Sequence, residues 1–165
     1  MPIAVGSTAP DFTLKTMTPE GLADVRLSDH RGKDTVVLLF FPGAFTSVCT
    51  TELCDVTSGL GSYQALNAVV YGISVDSAFA QSGWAKANQI EVPLLSDYRR
   101  EVVAAYDVVA AYDVVLPDLA GLGPSATRAV FVIDKEGVIR YAEQTENPGV
   151  QPNFDALLEA VRAVA

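Results

Sequence analysis

The chain has 165 residues, half of them hydrophobic, and a formal net charge of −9. That length suits one domain, 1–165, around one sizeable core. No apolar run reaches the ~20 residues of a membrane span, and so acidic a surface repels phosphate backbones, which argues against nucleic-acid binding.

Residues 9–15 and 24–27 predict short edge strands, joined through the turn-rich 17–21. Residues 29–33 form a polar turn, and His30 within it is expected to be solvated rather than an acid or base. Residues 35–41 are a continuous apolar run, the pattern of a buried parallel strand. Pro42 and Gly43 end that strand. Thr46 or Ser47 can cap the helix predicted over 47–66, and Gly59 and Gly61 predict a kink or break near 58–61. Residues 68–75 read as a second buried strand and 77–89 as a helix, with Trp84 expected to pack in or beside the core rather than shape a pocket. A short strand follows over 91–96, with Pro93 among its first residues.

Residues 104–109 and 110–115 both read AAYDVV. Two copies are too few for a solenoid. The expectation is that the helix beginning at Tyr98 lengthens, or that one copy bulges, with the sheet intact. Residues 116–127 read as a loop. Residues 128–134 and 138–143 are strands joined as a hairpin through Lys135, Glu136 and Gly137. After a loop over 146–152, a helix is predicted over 153–164, with Phe154, Leu157, Leu158 and Val161 on one stripe.

Chemistry concentrates at Cys49, in the first turn of the helix that follows Pro42. Unpaired N–H groups and the positive end of the helix dipole favour a thiolate there. Thr46, three residues earlier, brings its hydroxyl near the sulfur. A free cysteine is only about 3% thiolate at pH 7, so ionisation alone gains on the order of thirtyfold. Fast chemistry also needs a stabilised transition state. Two cysteines and one histidine are fewer than the usual zinc ligand set, no C-x-x-C occurs, and neither metal nor organic cofactor is expected. Cysteines five apart beside a strand–helix junction favour redox catalysis over a structural staple in a reducing compartment. The opening six residues lack a signal-peptide pattern, so cytoplasmic placement is expected.

Pro42-x-x-x-Thr46-x-x-Cys49 resembles the active-site signature of the peroxiredoxins, thiol peroxidases with a thioredoxin-like fold. Companion motifs occur in the family's order: Gly6-x-x-Ala9-Pro10-x-Phe12-x-Leu14, Leu27-Ser28-Asp29 to Gly32-Lys33, Ser74-Val75-Asp76, Leu94-Leu95-Ser96-Asp97, and the Arg128 to Asp134 strand. The resemblance covers nearly the whole chain. It implies an α/β fold, with a central mixed sheet flanked by helices and an N-terminal strand extension. It also implies Cys49 as the peroxide-attacking nucleophile, Thr46 as a hydroxyl partner of the peroxide, and Arg128 as the cation at the sulfur. Pro42 would shield the sulfur, and the backbone N–H groups of Val48 and Cys49 would bind the substrate oxygens. Glu52 would orient the arginine.

Cys54 matches the resolving cysteine of the Q-type branch, whereas the residues around Thr46 and Glu52 look closer to the AhpE-like one-cysteine branch. On an intact helix the Cα atoms of Cys49 and Cys54 would lie roughly 8.5 Å apart, so a bond between them requires unwinding. The expected activity is reduction of hydrogen peroxide and organic hydroperoxides by a monomer or homodimer. The reductant would be thioredoxin-like, or glutaredoxin-like if Cys54 does not resolve. A peroxide sensor or holdase-like binding protein using the same cysteine, and a protein thiol–disulfide oxidoreductase, are the alternatives.

Overall fold

The computed structural model describes residues 2–108, 124–145 and 147–165. Its centre is a seven-stranded mixed sheet in the order β2-β1-β5-β4-β3-β6-β7. Strands β3 (Thr35–Phe40), β4 (Ala68–Ser74) and β5 (Leu94–Ser96) run parallel. An antiparallel hairpin flanks them on each side: β1 (Thr13–Thr18) with β2 (Gly21–Arg26), and β6 (Ala129–Ile133) with β7 (Ile139–Gln144). The apolar run of β3 is buried throughout, as a strand covered on both faces requires.

Strand alternation divides the core. Val36, Leu38, Phe40, Phe131 and Ile133 face one side, with Phe12, Val102, Val103, Tyr106 and Val108. Val37, Leu39, Phe41, Val130 and Val132 face the other. That second face is covered by α1 (Ser47–Ser58), α2 (Leu60–Gln64), α3 (Ala78–Asn88) and α5 (Phe154–Val164), which contribute Cys49, Leu53, Tyr63, Trp84 and Leu157. Gly59 divides α1 from α2, within the stretch where glycines predict a break. Asn153 caps α5 by accepting from the Ala156 N–H.

Several boundaries move for local reasons. The first strand begins at Thr13 rather than residue 9, because Asp11 Oδ1 accepts from the Phe12 and Ser28 N–H groups and turns the chain. It continues through Met17 and Thr18, which pair with Leu22 and Gly21, so the turn narrows to Pro19 and Glu20. Strand β5 starts at Leu94, after Pro93; the Pro93 carbonyl instead accepts from Gly72 N–H. The helix expected from Tyr98 is α4 (Glu101–Ala105), started by Asp97 Oδ2, which accepts from Val102 and Val103 N–H.

The first AAYDVV copy contributes Tyr106 and Val108 to the core. Tyr106 is fully buried, packs tilted against Phe40 and edge-on against Phe131, and donates its hydroxyl to the Pro10 carbonyl at 2.8 Å. Helix α4 ends at Ala105, inside that copy. The expectations for residues 110–115 and most of the 116–127 loop lie outside the described residues. Of the loop's described end, Ser125, Ala126 and Thr127 are buried, and Thr127 N–H donates to the Val108 carbonyl. Among the described residues no helix is long and apolar enough to cross a membrane, and no cluster of three or more His, Cys, Asp or Glu side chains is arranged for a metal.

His30 departs from the solvated-turn expectation. It is half-buried, with Nδ1 2.8 Å from Asp34 Oδ2 and Nε2 2.8 Å from the Tyr71 hydroxyl. Burial, with the Asp34 charge adding to it, pushes the Tyr71 phenol above its ordinary value. Trp84 meets the core expectation: it is fully buried and its ring lies 5.3 Å from that of Phe41.

Candidate active site

The loop between β3 and α1 leads from buried Pro42 and Gly43 to Cys49 in the first turn of α1. Phe45, in this loop, has φ 65. A left-handed aromatic residue costs on the order of 1–2 kcal/mol, so its neighbours must hold it. Thr46 is the N-cap residue but makes no capping bond with its side chain. Its hydroxyl instead donates to the Gly43 carbonyl at 2.9 Å. That proton is committed, so the oxygen faces any ligand as an acceptor. The first backbone bond of the helix runs from Thr50 N–H to the Thr46 carbonyl. The N–H groups of Val48 and Cys49 therefore have no partner within the helix.

A side chain from a distant part of the chain meets the sulfur and the nearby Glu52. Arg128, immediately before β6, is 1% exposed. Its Nη2 donates to Cys49 Sγ at 3.0 Å, its Nη1 donates to Glu52 Oε2, and its Nε donates to the Pro148 carbonyl at 3.0 Å. The guanidinium is thus fixed at all three nitrogens, with one fork tip aimed at the sulfur. Thr145 N–H donates to the Arg128 carbonyl, which ties its backbone to the β7 end.

Glu52 is fully buried, and its Oε1 has no hydrogen-bond partner among the described residues. Burial pushes its carboxyl up to about 7, against the opposing pull of Arg128. Burial alone would weaken the Arg128 charge, but Glu52 and Cys49 override it and raise the arginine's pKa.

Cys54 stands apart from this cluster. Both cysteines are free and lie within the continuous helix α1. The Cys54 thiol donates to the Asn88 carbonyl, at the end of α3, at 3.6 Å. Trp84 Nε1 donates to Thr50 Oγ1 at 3.0 Å, and Thr50 Oγ1 donates to the Thr46 carbonyl at 2.7 Å. The tryptophan therefore holds the turn that carries Cys49. The structure joins Cys49 and Glu52 through Arg128, places Pro42, Thr46 and Val48 on the adjoining loop and first turn, and leaves Cys54 facing α3.

Sequence reasoning passed over Asp76, which accepts from the Ala44 N–H at 2.8 Å. Its only sequence signal is the Ser74-Val75-Asp76 motif at the end of a buried strand.

Comparison with known proteins gives a consistent picture. Residues 5–142 match the AhpC/TSA family. The chain is 34% identical to the chloroplastic 2-cysteine peroxiredoxin of Chattonella marina var. antiqua, over 99% of this chain and 82% of that one. It is 32% identical to the mitochondrial thioredoxin-dependent peroxide reductase of Drosophila melanogaster, over 98% of this chain and 67% of that one. The fold superposes on the reduced 2-Cys peroxiredoxin of Plasmodium vivax with a TM-score of 0.85 at 26% identity, covering 99% of this chain and 82% of that one. The mixed sheet and its flanking helices are thus the thioredoxin-like fold of peroxiredoxin structures, and the chain belongs to the AhpC/TSA family and is an enzyme of the thiol-peroxidase class.

Proposed function

We propose that the chain, as one domain over 1–165, reduces hydrogen peroxide and organic hydroperoxides through Cys49. The contact that carries this reading is the Arg128 Nη2 donor 3.0 Å from Cys49 Sγ. The thiolate attacks the distal peroxide oxygen. An S–O bond forms as the O–O bond breaks, and the leaving oxygen takes a proton and departs as water or an alcohol, leaving a sulfenic acid. Charge on the two oxygens is met by Arg128 and by the free N–H groups of Val48 and Cys49, while the Thr46 oxygen accepts from the peroxide O–H. Pro42 limits water at the sulfur, and Glu52 orients the arginine.

Resolution falls to Cys54, the Q-type feature in a chain whose Thr46 and Glu52 surroundings look AhpE-like. Its thiolate attacks the sulfenic sulfur, releasing water and forming a disulfide, which a thioredoxin-like dithiol then reduces. The name of the Drosophila relative supports such a reductant. In the reduced state α1 is intact, so resolution requires its first turns to unwind, breaking helical bonds worth about 1 kcal/mol each. Two free thiols suit a reducing compartment such as the cytosol. The enzyme works in this reading as a monomer or homodimer.

Stopped-flow mixing of the reduced protein with hydrogen peroxide tests the reading. A fast second-order phase is expected in the parent and absent in Cys49→Ser; equal traces would refute it. Mass spectrometry after one equivalent of peroxide should find an intramolecular disulfide in the parent and a persistent sulfenic acid in Cys54→Ser. A sulfenic acid persisting in both would assign resolution to an external thiol. Turnover with thioredoxin distinguishes a catalyst from a one-shot sensor.

A further inference from the structure

Resting on the peroxidase reading, we propose that Asp76 is a positioning residue for the peroxide site: its carboxylate fixes the loop over residues 42–46 and so sets where Pro42 and Thr46 stand relative to the Cys49 sulfur. The loop leaves the sheet at Phe41, whose N–H donates to the Ile73 carbonyl. It re-enters regular structure at Thr46, whose carbonyl accepts from the N–H and hydroxyl of Thr50. Between these points the bond from Thr46 to Gly43 is internal to the loop. Among the described residues, a side-chain anchor from outside the loop is Asp76 Oδ2, between β4 and α3, 2.8 Å from Ala44 N.

That anchor is itself rigid. The same Oδ2 accepts from the Ser74 hydroxyl at 2.7 Å, and Ser74 Oγ accepts from Gln81 Nε2 at 2.9 Å. Gln81 is buried in α3 and also donates to the Leu95 carbonyl of β5. The Asp76 carbonyl accepts from Ser96 Oγ at 2.6 Å. Through Ser74 and Gln81, and through its own backbone carbonyl, Asp76 therefore ties β4, α3 and β5 to the residue just before Phe45. Phe45 needs this support: its backbone is left-handed at φ 65 and its side chain is 66% exposed, so burial does not hold it. Ala44 is pinned on one side and Thr46 on the other, by Thr50 and Trp84.

Asp76 touches none of the reacting atoms in this account; it acts through the loop. Small displacements of positioning groups cost catalysis heavily, on the order of a hundredfold for 1 Å. An asparagine in its place keeps an oxygen able to accept from both Ala44 and Ser74, whereas an alanine keeps none.

The experiment compares Asp76→Ala, Asp76→Asn and Ser74→Ala, each in a Cys54→Ser background, by two rates at Cys49. One is sulfenic acid formation with hydrogen peroxide, and the other is alkylation by iodoacetamide. Asp76→Ala should lose about tenfold to a hundredfold in the peroxide rate constant, with alkylation unchanged or faster, because the Arg128 contact persists. Asp76→Asn should stay within about threefold of the background protein. A peroxide rate within threefold of background in Asp76→Ala overturns the proposal. So does a parallel fall in alkylation, which would mean the sulfur's own reactivity was lost. If Asp76→Ala does not fold, Ser74→Ala decides: a threefold to tenfold loss supports the tether, and an unchanged rate refutes it. A background protein that forms no sulfenic acid at Cys49 removes the peroxidase reading itself, and this proposal with it, whatever the variants do.

Discussion

Strand β6 carries an arginine–carboxylate pair at each end, and the two are built to opposite ends. At its C-terminal end Asp134 Oδ1 accepts from the Glu136 and Val138 N–H groups, while Oδ2 accepts from Arg140. Both oxygens are satisfied, and the arginine side chain is 48% exposed. Burial would raise the Asp134 pKa, but the bonds from Val138, Arg140 and Glu136 outweigh it and hold the carboxyl below the usual range. At the other end Glu52 has one oxygen without a partner among the described residues, an arginine sealed from water, and a carboxyl pushed up to about 7. The first pair closes a hairpin turn around Gly137, whose φ is 82. The second carries a desolvation cost and delivers a fixed cation to a sulfur. A buried ion pair is weak evidence for stability, and here its position beside Cys49 supplies the better reason for it.

Removing each arginine should break the comparison most sharply. Arg128→Met is expected to lower the peroxide rate constant by about 10²–10³, the loss typical of one preorganised donor to developing charge. Arg140→Met should leave that constant within about twofold, since Arg140 is half exposed and its pair stands at the opposite end of β6 from Arg128. Stopped-flow rates on both variants check this, and equal losses would end the distinction.

The two pairs also give stability opposite pH dependences. The folded-state pKa of Glu52 lies above its ordinary value, so its contribution is present at acid pH and is lost as pH rises from 4.5 towards about 7. Asp134 has the opposite sign: its contribution is present above pH 3.8 and is lost as pH falls below it. Between pH 5 and 8 the parent should lose about 2–3 kcal/mol relative to Glu52→Gln. Urea unfolding at both pH values measures it, and parallel curves would contradict the raised carboxyl.

Asp134→Ala should cost about 2 kcal/mol at neutral pH by stranding two turn N–H groups, with the peroxide rate intact. Trp84→Phe keeps most of the ring packing but removes the bond to Thr50, at about 1 kcal/mol. Amide-exchange protection should fall at Thr50 and stay unchanged at the Asp134 turn. Deleting residues 110–115 should have the smallest effect, leaving the fold and both β6 pairs in place; a deletion variant that cannot fold would contradict this.

Much of this architecture is legible from local pattern. The apolar runs of β3 and β6 announce buried strands, and their alternation assigns the two core faces. Gly59 marks the helix break, and Cys49 stands at a strand-to-helix corner that any reading of Pro42 and Gly43 would find. What escapes local reading depends on partners far along the chain. Arg128 is 79 residues from Cys49 and 76 from Glu52, and nothing beside it marks a cation that will reach the sulfur; only the family resemblance singled it out. His30 looks like a turn residue until Tyr71, 41 residues on, covers it. Helix α4 starts late because Asp97 caps it through folded geometry. Thr46 has the chemistry of a cap, but the fold turns its hydroxyl to the Gly43 carbonyl and its oxygen makes no capping bond to the helix N–H groups.

The most direct test asks whether the arginine at the sulfur does more than ionise it. Second-order rate constants for Cys49 with hydrogen peroxide and with iodoacetamide should be measured in Cys54→Ser, with and without Arg128→Met. With Arg128 present, the peroxide constant should exceed that of a free cysteine by far more than the thirtyfold or so that full ionisation supplies. Arg128→Met should lose much more of the peroxide rate than of the alkylation rate. A peroxide constant within that thirtyfold range, or equal losses towards both reagents, would contradict the account.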